Sequence, residues 1–257
     1  MESVEWHSAR AALEWQIELG ADESIADAPV DRYALPQKTA KKAEAAAKKS
    51  GPVDLVKRDA VAEAKVAARG AGTLEELHAA MAAFDLCELK LGARNLVFCD
   101  GVAGSRVMVI GESPGREEDR VGRPFVGQAG QMLDRMFAAI GIGRSVAEAP
   151  IYITNTLPWR PPQNRDPKPE EIAMMKPFLE RHIELAAPEV LVIMGNWACQ
   201  ALMGQRGITR LRGTWVEVLG RPALPMCHPA YLLRMPAAKR ETWADLLSVK
   251  ARLERGA

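Results

Sequence analysis

The chain has 257 residues, of which 48% are hydrophobic and 26% are charged, and its formal net charge is +1. This composition is typical of a folded globular protein, and the near-neutral charge means that any nucleic-acid contact must come from a local basic surface. No apolar run approaches the roughly 18–20 residues of a membrane span, and the opening MESVEWHSAR has no secretory signal pattern.

The first 72 residues are predicted to lie outside the main domain. We expect residues 1–35 to form a helical extension, because a helical pattern at 8–19 begins at Ser8 and ends before Gly20. Residues 36–72 are rich in Ala, Lys and Glu and hold few large apolar side chains, so we expect a mobile or weakly helical linker. Its lysines leave open a second interpretation, an arm that contacts phosphates without sequence preference.

Residues 73–257 are predicted to form a domain in which strands and helices alternate. Thr73 and Glu76 form a capping-box pattern at the start of its first helix. Short apolar runs predict buried strands at 107–110, 151–155, 190–194 and 224–227, with an edge strand at 215–219. Helical patterns follow at 129–140, 169–182, 197–203 and 239–253. Right-handed crossovers between such strands imply a parallel sheet between two layers of helices.

The stretch RVMVIGESPGREEDRVGRPFVGQAGQMLD at 106–134 is the main candidate for a functional site. Its strand ends at Gly111, and ligands of open α/β sheets bind at this edge. Acids crowd the turn that follows, and Phe125 comes next between glycine-permitted turns. Neither the GxGxxG nor the GxxxxGKS/T pattern is present, so no phosphate loop is predicted. The acids leave open a divalent-metal cluster or a solvated loop face.

Two other strands deliver polar side chains to the same edge. Asn155 ends the strand at 151–155, and His228 follows the strand at 224–227. The amide of Asn155 has a donor and an acceptor that match O4 and N3–H of uracil. Phe125 has a face on which a base can stack, and a histidine can donate to an oxygen on which negative charge develops. This set predicts a site that recognises and expels a nucleobase.

Three segments of the chain resemble motifs of the family 4 uracil-DNA glycosylases, in the same order. They are GESPGREEDRVGRPFVGQAGQMLD, TN followed by RPPQNRDP, and HPAYLLR. The resemblance covers residues 84–253 and implies a three-layer α/β/α sandwich with a central four-stranded parallel sheet. It also implies hydrolysis of the N-glycosidic bond of deoxyuridine in DNA, which releases uracil and leaves an abasic site for base excision repair. The expected partner is uracil-containing DNA, and we expect a monomer with no membrane association.

The same resemblance implies roles for individual residues. The catalytic residues would be His228, at O2 of the departing uracil anion, and Glu112 and Glu118, which help to set the pocket and the attacking water. The uracil-binding residues would be Phe125, Asn155, Gly111 and Ser113. The DNA-binding residues would be Leu232, Leu233, Arg234 and Arg160. Because Ser113 stands where some uracil glycosylases have a catalytic Asp, a mainly dissociative route is favoured.

Members of the family usually hold a 4Fe–4S cluster on four cysteines, and this chain departs from that pattern. The matching positions are Phe84, Cys87, Trp159 and Met175. A cluster needs thiolate ligands, and apolar side chains could instead fill the same volume as ordinary core. We therefore expect no cluster, no other cofactor and no metal. The other cysteines, Cys99, Cys199 and Cys227, are scattered, which indicates free thiols and a cytoplasmic protein.

Two other classes of function stay open at this point. One is a non-catalytic damaged-DNA-binding module that keeps the fold, although the presence of both Asn155 and His228 argues against it. The other is a metal-dependent nucleotide hydrolase that uses the acids at 112–119, and EDTA would inhibit it.

Overall fold

The computed structural model describes residues 59–255, and the predicted extension at 1–35 and the linker residues 36–58 lie outside the described residues. The described part contains one mixed sheet. Its strands are β1 (Asp100–Gly101), β2 (Val107–Gly111), β3 (Ile151–Asn155), β4 (Val190–Met194), β5 (Val216–Val218) and β6 (Arg221–Met226). The spatial order is β1-β3-β2-β4-β6-β5.

The four inner strands, β3, β2, β4 and β6, are parallel, as the sequence predicted. The edge strands β1 and β5 pair antiparallel with β3 and β6 and extend the sheet to six strands. Every residue of β2, β3 and β4 is buried. Parallel strands that are buried on both faces require cover on both sides, and this is the three-layer α/β/α arrangement.

Helices make up most of the rest of the described chain. The longer ones are α1 (Ala60–Gly70), α2 (Leu74–Ala83), α5 (Gln128–Ala138), α6 (Pro169–Ala186), α7 (Asn196–Met203) and α10 (Lys239–Arg255). The short ones are α3 (Leu89–Gly92), α4 (Arg116–Val121), α8 (Ile208–Leu211) and α9 (Pro229–Arg234). Two 3₁₀ turns lie at Pro162–Asn164 and Pro236–Ala238. None of the helices between residues 59 and 255 is both long and apolar enough to cross a membrane.

Helix α1 corrects the predicted boundary between linker and domain. It lies inside the stretch expected to be a linker, and Asp59 caps it by accepting hydrogen bonds from the amides of Val61 and Ala62, each 3.1 Å long. Ala64 and Ala68 are fully buried, and α1 packs mainly on α6. Alanine favours helix and lets two helices approach closely, so this segment packs without large apolar side chains. A packed helix therefore lies within residues 60–70, which the prediction had placed in the linker.

The start of α2 follows the predicted capping pattern with one change. Thr73 Oγ1 accepts a 3.2 Å hydrogen bond from the amide of Glu76. The Glu76 carboxylate reaches back to the amide of Gly72, at 2.6 Å, rather than to that of Thr73. Both bonds satisfy amides that a helix start leaves without partners.

A buried histidine links β3 to α6. The Tyr152 hydroxyl and His182 Nε2 are 2.8 Å apart and share a hydrogen bond. The imidazole also stacks on Phe98, with ring centroids 4.3 Å apart and planes 12° apart. Burial lowers the pKa of His182 to about 3, because the charged form would lose its hydration there. The folded protein therefore holds this ring neutral.

We expect the free energy of unfolding to fall as the pH is lowered from 7 to 5. The pKa of His182 is about 3 when folded and about 6.5 in an unfolded chain, so the unfolded chain binds a proton in this window that the folded protein excludes. The linkage is worth about 2 kcal/mol at pH 5. Urea unfolding at both pH values measures it, with His182→Gln as the control that keeps a neutral polar side chain. The variant should lose about 2 kcal/mol less than the parent between pH 7 and pH 5, and equal losses would contradict the assignment.

Candidate active site

Gly111, Asn155 and Phe125 meet at the carboxyl edge of the sheet. Gly111 and Asn155 are register partners at the ends of β2 and β3. A Cβ atom on Gly111 would overlap Asn155 Oδ1 and would lie 2.6 Å from two ring carbons of Phe125. Only glycine leaves room for both neighbours at this position. Ser113, the fourth predicted uracil-binding residue, lies two residues beyond the strand end and is half-buried.

His228 joins this group from the end of β6. Its ring stacks on that of Phe125, with centroids 5.3 Å apart and planes 27° apart. The structure therefore brings together the side chains that sequence analysis assigned to reading, stacking and stabilising a base. They come from three separate motifs of the sequence, and the parallel pairing of β2 with β3 brings the first two motifs side by side.

One hydrogen bond and a lowered pKa determine where the His228 ring carries its proton. Nδ1 accepts a 3.2 Å bond from the amide of Ala230, so this nitrogen carries no proton. The residue is half-buried, and loss of hydration around the ring lowers its pKa to about 4, with a smaller contribution from the positive charge of Arg234. At neutral pH the imidazole is therefore uncharged and carries its proton on Nε2. It can act as a hydrogen-bond donor through that nitrogen.

Glu112 follows directly after β2, and its side chain reaches across to the start of α7, which follows β4. Its Oε1 accepts a 3.1 Å hydrogen bond from the amide of Trp197. A Cβ on Gly195, where φ is +94°, would overlap the same oxygen. Burial raises the pKa of the Glu112 carboxyl, and the main-chain amides of Trp197 and Asn196 oppose that rise. A partly desolvated carboxyl therefore stands beside the strand ends.

Sequence analysis missed this contribution from β4. The only local signal was a glycine directly after the apolar run, which is typical of many strand ends. The indole of Trp197 carries the guanidinium of Arg206 over its ring, with Cζ 3.9 Å from the centroid. The positive charge of Arg206 also favours the ionised form of Glu112.

Glu118 braces the loop that carries Phe125. Its Oε1 accepts from the amides of Val126 and Gly127, both at 2.9 Å, and its Oε2 accepts from the amide of Gly115 at 3.1 Å. A carboxylate with three main-chain donors is well placed to fix loop geometry. Its contacts are those of a positioning group.

The acids at 112–119 turn toward separate partners rather than toward one point. Each carboxylate accepts hydrogen bonds from a different donor: Glu112 from the amide of Trp197, Glu117 from the guanidinium of Arg120, Glu118 from the amides of Val126 and Gly127, and Asp119 from the amide of Arg94. Among residues 59–255, no group of three or more His, Cys, Asp or Glu side chains is placed to hold a metal ion. The geometry therefore gives no support to a metal-dependent hydrolase at this loop.

The HPAYLLR segment forms a short helix, α9, with His228 as its N-cap. Leu232 is 0% exposed and belongs to the main hydrophobic core, whereas Leu233 is 43% exposed. This corrects the prediction for Leu232, because adjacent residues of a helix point about 100° apart and only one of the two leucines faces solvent. Arg234 is exposed beside Leu233.

Arg160 lies on the proline-rich loop after β3. Its Nε donates a 2.7 Å hydrogen bond to Asn164 Oδ1, which belongs to the 3₁₀ turn of the same loop. The guanidinium is half-buried. It therefore has a partner within the loop, and its predicted contact with DNA stays a prediction.

The four positions that match the cluster ligands of the family form part of a hydrophobic core. Phe84, Cys87, Trp159 and Met175 are all buried in one apolar cluster. Phe84 packs edge-to-face on Phe178, with ring centroids 5.3 Å apart. Burial raises the pKa of the Cys87 thiol, which disfavours the thiolate that iron requires. One thiol among three carbon or thioether side chains does not fit a 4Fe–4S cluster.

Comparison with known proteins agrees with this geometry. The family model of the uracil DNA glycosylase superfamily matches residues 98–247. The type-4 uracil-DNA glycosylase of Thermotoga maritima is 40% identical over 151 residues, which cover 58% of this chain and 77% of the relative. The type-4 enzyme of Archaeoglobus fulgidus is 36% identical, with coverage of 63% and 84%. That of Pyrobaculum aerophilum is 35% identical, with coverage of 67% and 91%.

The range of the family model includes the strand ends that carry Gly111, Asn155 and His228. The family model spans more than half of the chain, and the chain covers more than two thirds of each of the three relatives. The chain therefore belongs to the uracil-DNA glycosylase superfamily, and its curated relatives place it with the type-4 enzymes.

Proposed function

We propose that this protein is a uracil-DNA glycosylase, which hydrolyses the N-glycosidic bond of deoxyuridine in DNA and leaves an abasic site for base excision repair. The observation that carries the proposal is that Asn155 and Phe125 meet at Gly111, with His228 stacked on Phe125. A base-binding amide, a stacking ring and a donor for the leaving base are the chemical groups that this reaction needs. Membership of the superfamily gives independent support.

In the proposed binding mode, Asn155 reads the polar edge of a flipped uracil. Its amide N–H₂ donates to O4 and its Oδ1 accepts from N3–H. Asn155 is buried, so a base without matching groups would leave the amide without a partner, which is costly. Phe125 supplies the apolar face on which the base stacks.

His228 acts on the departing base. As the bond from N1 to C1′ breaks, its electron pair moves into the uracil ring and negative charge grows at O2. The neutral imidazole donates its Nε2 proton in a hydrogen bond to that oxygen, where the interaction strengthens in the transition state. Glu112 supplies a carboxyl group near the strand ends, where it can orient the water that adds to C1′ of the cationic sugar.

Leu233 and Arg234 are the proposed DNA contacts on α9. An exposed leucine next to an arginine suits insertion into the space that a flipped nucleotide leaves, with a phosphate contact beside it. Arg160 is a further proposed contact with the backbone. The cytoplasmic location and the monomeric state stay predictions from the sequence.

The parent protein should release uracil from a single-stranded oligonucleotide in the presence of EDTA. Alkali then cleaves the strand at the abasic site, and a matched oligonucleotide with thymine stays intact. Asn155→Asp should reduce the rate by at least about 100-fold, because a carboxylate cannot donate to O4. Loss of activity in EDTA would favour a metal-dependent hydrolase, and binding without release of uracil would favour a non-catalytic module.

His228→Ala should slow single-turnover excision by about 10²–10³-fold, since one hydrogen bond to the developing anion is lost. The affinity for uracil-containing DNA, measured by fluorescence anisotropy, should change little because the bond strengthens only in the transition state. An unchanged rate would remove His228 from the mechanism.

Leu233→Ala is the companion variant, because it alters the same helix without touching the base. It should impair excision from duplex DNA more than from single strands, since unpaired bases need no group to hold them out of a stack. Equal effects on the two substrates would argue against insertion of Leu233.

We also propose that the protein works without an iron–sulfur cluster. Purified protein should be colourless and hold no stoichiometric iron by metal analysis, because the apolar packing of Phe84, Trp159 and Met175 leaves one thiol at the four family positions. Anaerobic purification should give the same result. A brown preparation with about four iron atoms per chain would overturn this proposal without affecting the proposed reaction.

A further inference from the structure

The backbone at Phe125 adopts a conformation that a residue with a side chain rarely takes. Its φ angle is +54°, in the left-handed region. Such a conformation persists only where neighbouring groups hold the chain on more than one side. Because the ring of Phe125 is the proposed stacking face, the groups that hold this backbone also decide where that face lies.

Arg144 binds the carbonyl groups on the first side. Its Nη2 donates to the carbonyl oxygen of Phe125 at 2.8 Å, and its Nη1 donates to that of Pro124 at 3.1 Å. Two successive carbonyls are thus held by one planar guanidinium. The fixed directions of its N–H groups set the orientation of both peptides, which a lysine with a single ammonium would not do.

Two carboxylates hold the guanidinium itself. Nε donates to Asp134 on α5 at 2.8 Å, and Nη1 donates to Asp100 on β1 at 2.6 Å. The side chain of Arg144 is only 14% exposed, as suits a group that is already ordered before substrate arrives. The loop is therefore tied to the helix and to the sheet edge through one residue.

On the second side, the backbone at Phe125 is held by the carboxylate of Glu118 and by helix α5. Glu118 accepts hydrogen bonds from the amides of Val126 and Gly127, which follow Phe125. A negatively charged side chain therefore binds the amides after Phe125, and the positively charged Arg144 binds the carbonyls just before those amides. A Cβ on Gly130 would overlap the Phe125 carbonyl, so the loop lies directly against α5.

We propose that Arg144 is the positioning residue that places the Phe125 ring for stacking on the target base. This inference rests on the proposed function. Without the guanidinium, the peptide can relax toward negative φ, and the ring then turns away from Asn155 and His228. Arg144 itself does not touch the base, so its effect on excision must pass through Phe125.

Arg144→Gln should lower single-turnover excision from single-stranded DNA by about 10–100-fold and should weaken inhibition by free uracil. Arg181→Gln is the matched control, because Arg181 also binds a main-chain carbonyl, that of Ala71, and a carboxylate, that of Glu184, on α6. The control should be destabilised in urea yet excise uracil at the parent rate. If Arg144→Gln matches the control in both measurements, the inference fails.

A double-variant cycle with Phe125→Ala separates positioning from general loss of structure. If Arg144 acts through the ring, Arg144→Gln should cause little further loss once Phe125→Ala is present. Losses that multiply would overturn the inference. If Arg144→Gln does not fold, Asp134→Asn weakens the same guanidinium from outside and should show a smaller loss with the same dependence on Phe125. A parent protein that releases no uracil would instead refute the proposed function.

Discussion

The absence of a side chain at the end of β2 is the constraint on which the rest of the site depends. A single added carbon at Gly111 would overlap both the amide of Asn155 and the ring of Phe125. The parallel register brings the ends of β2 and β3 side by side. Because Gly111 has no side chain, Asn155 and Phe125 can both lie close to its Cα atom. A strand that is buried along its whole length thus ends in the residue with no side chain.

The parallel strands could be predicted because each is a continuous apolar run followed by a polar residue or glycine. Their parallel arrangement then implied that Asn155 and His228 share an edge. The two-residue strand β1 is too short to leave a pattern. The packing of helix α1 was not predicted, because its buried face consists of alanines. Leu232 was expected to contact DNA, because a six-residue helix gives no reliable phase from which its burial could be predicted. No local pattern indicates that Glu118 reaches amides eight and nine residues away.

Several charged side chains of this domain form hydrogen bonds with main-chain groups of loops. Glu118 and Arg144 bind main-chain groups on opposite sides of Phe125, and Arg181 binds the carbonyl that follows α1. Charge-assisted bonds of this kind are stronger and more directional than neutral ones. Phe84, Cys87, Trp159 and Met175 are buried together in one apolar cluster, so burial of apolar surface stabilises this part of the fold.

His228 has a second consequence as the N-cap of α9. The bond from Ala230 to Nδ1 joins the imidazole to the first turn of the helix that presents Leu233. A six-residue helix is about 9 Å long, so the imidazole and the exposed leucine lie near opposite ends of one short helix. A displacement of α9 on contact with the duplex would therefore also displace the imidazole that donates a hydrogen bond to the departing base.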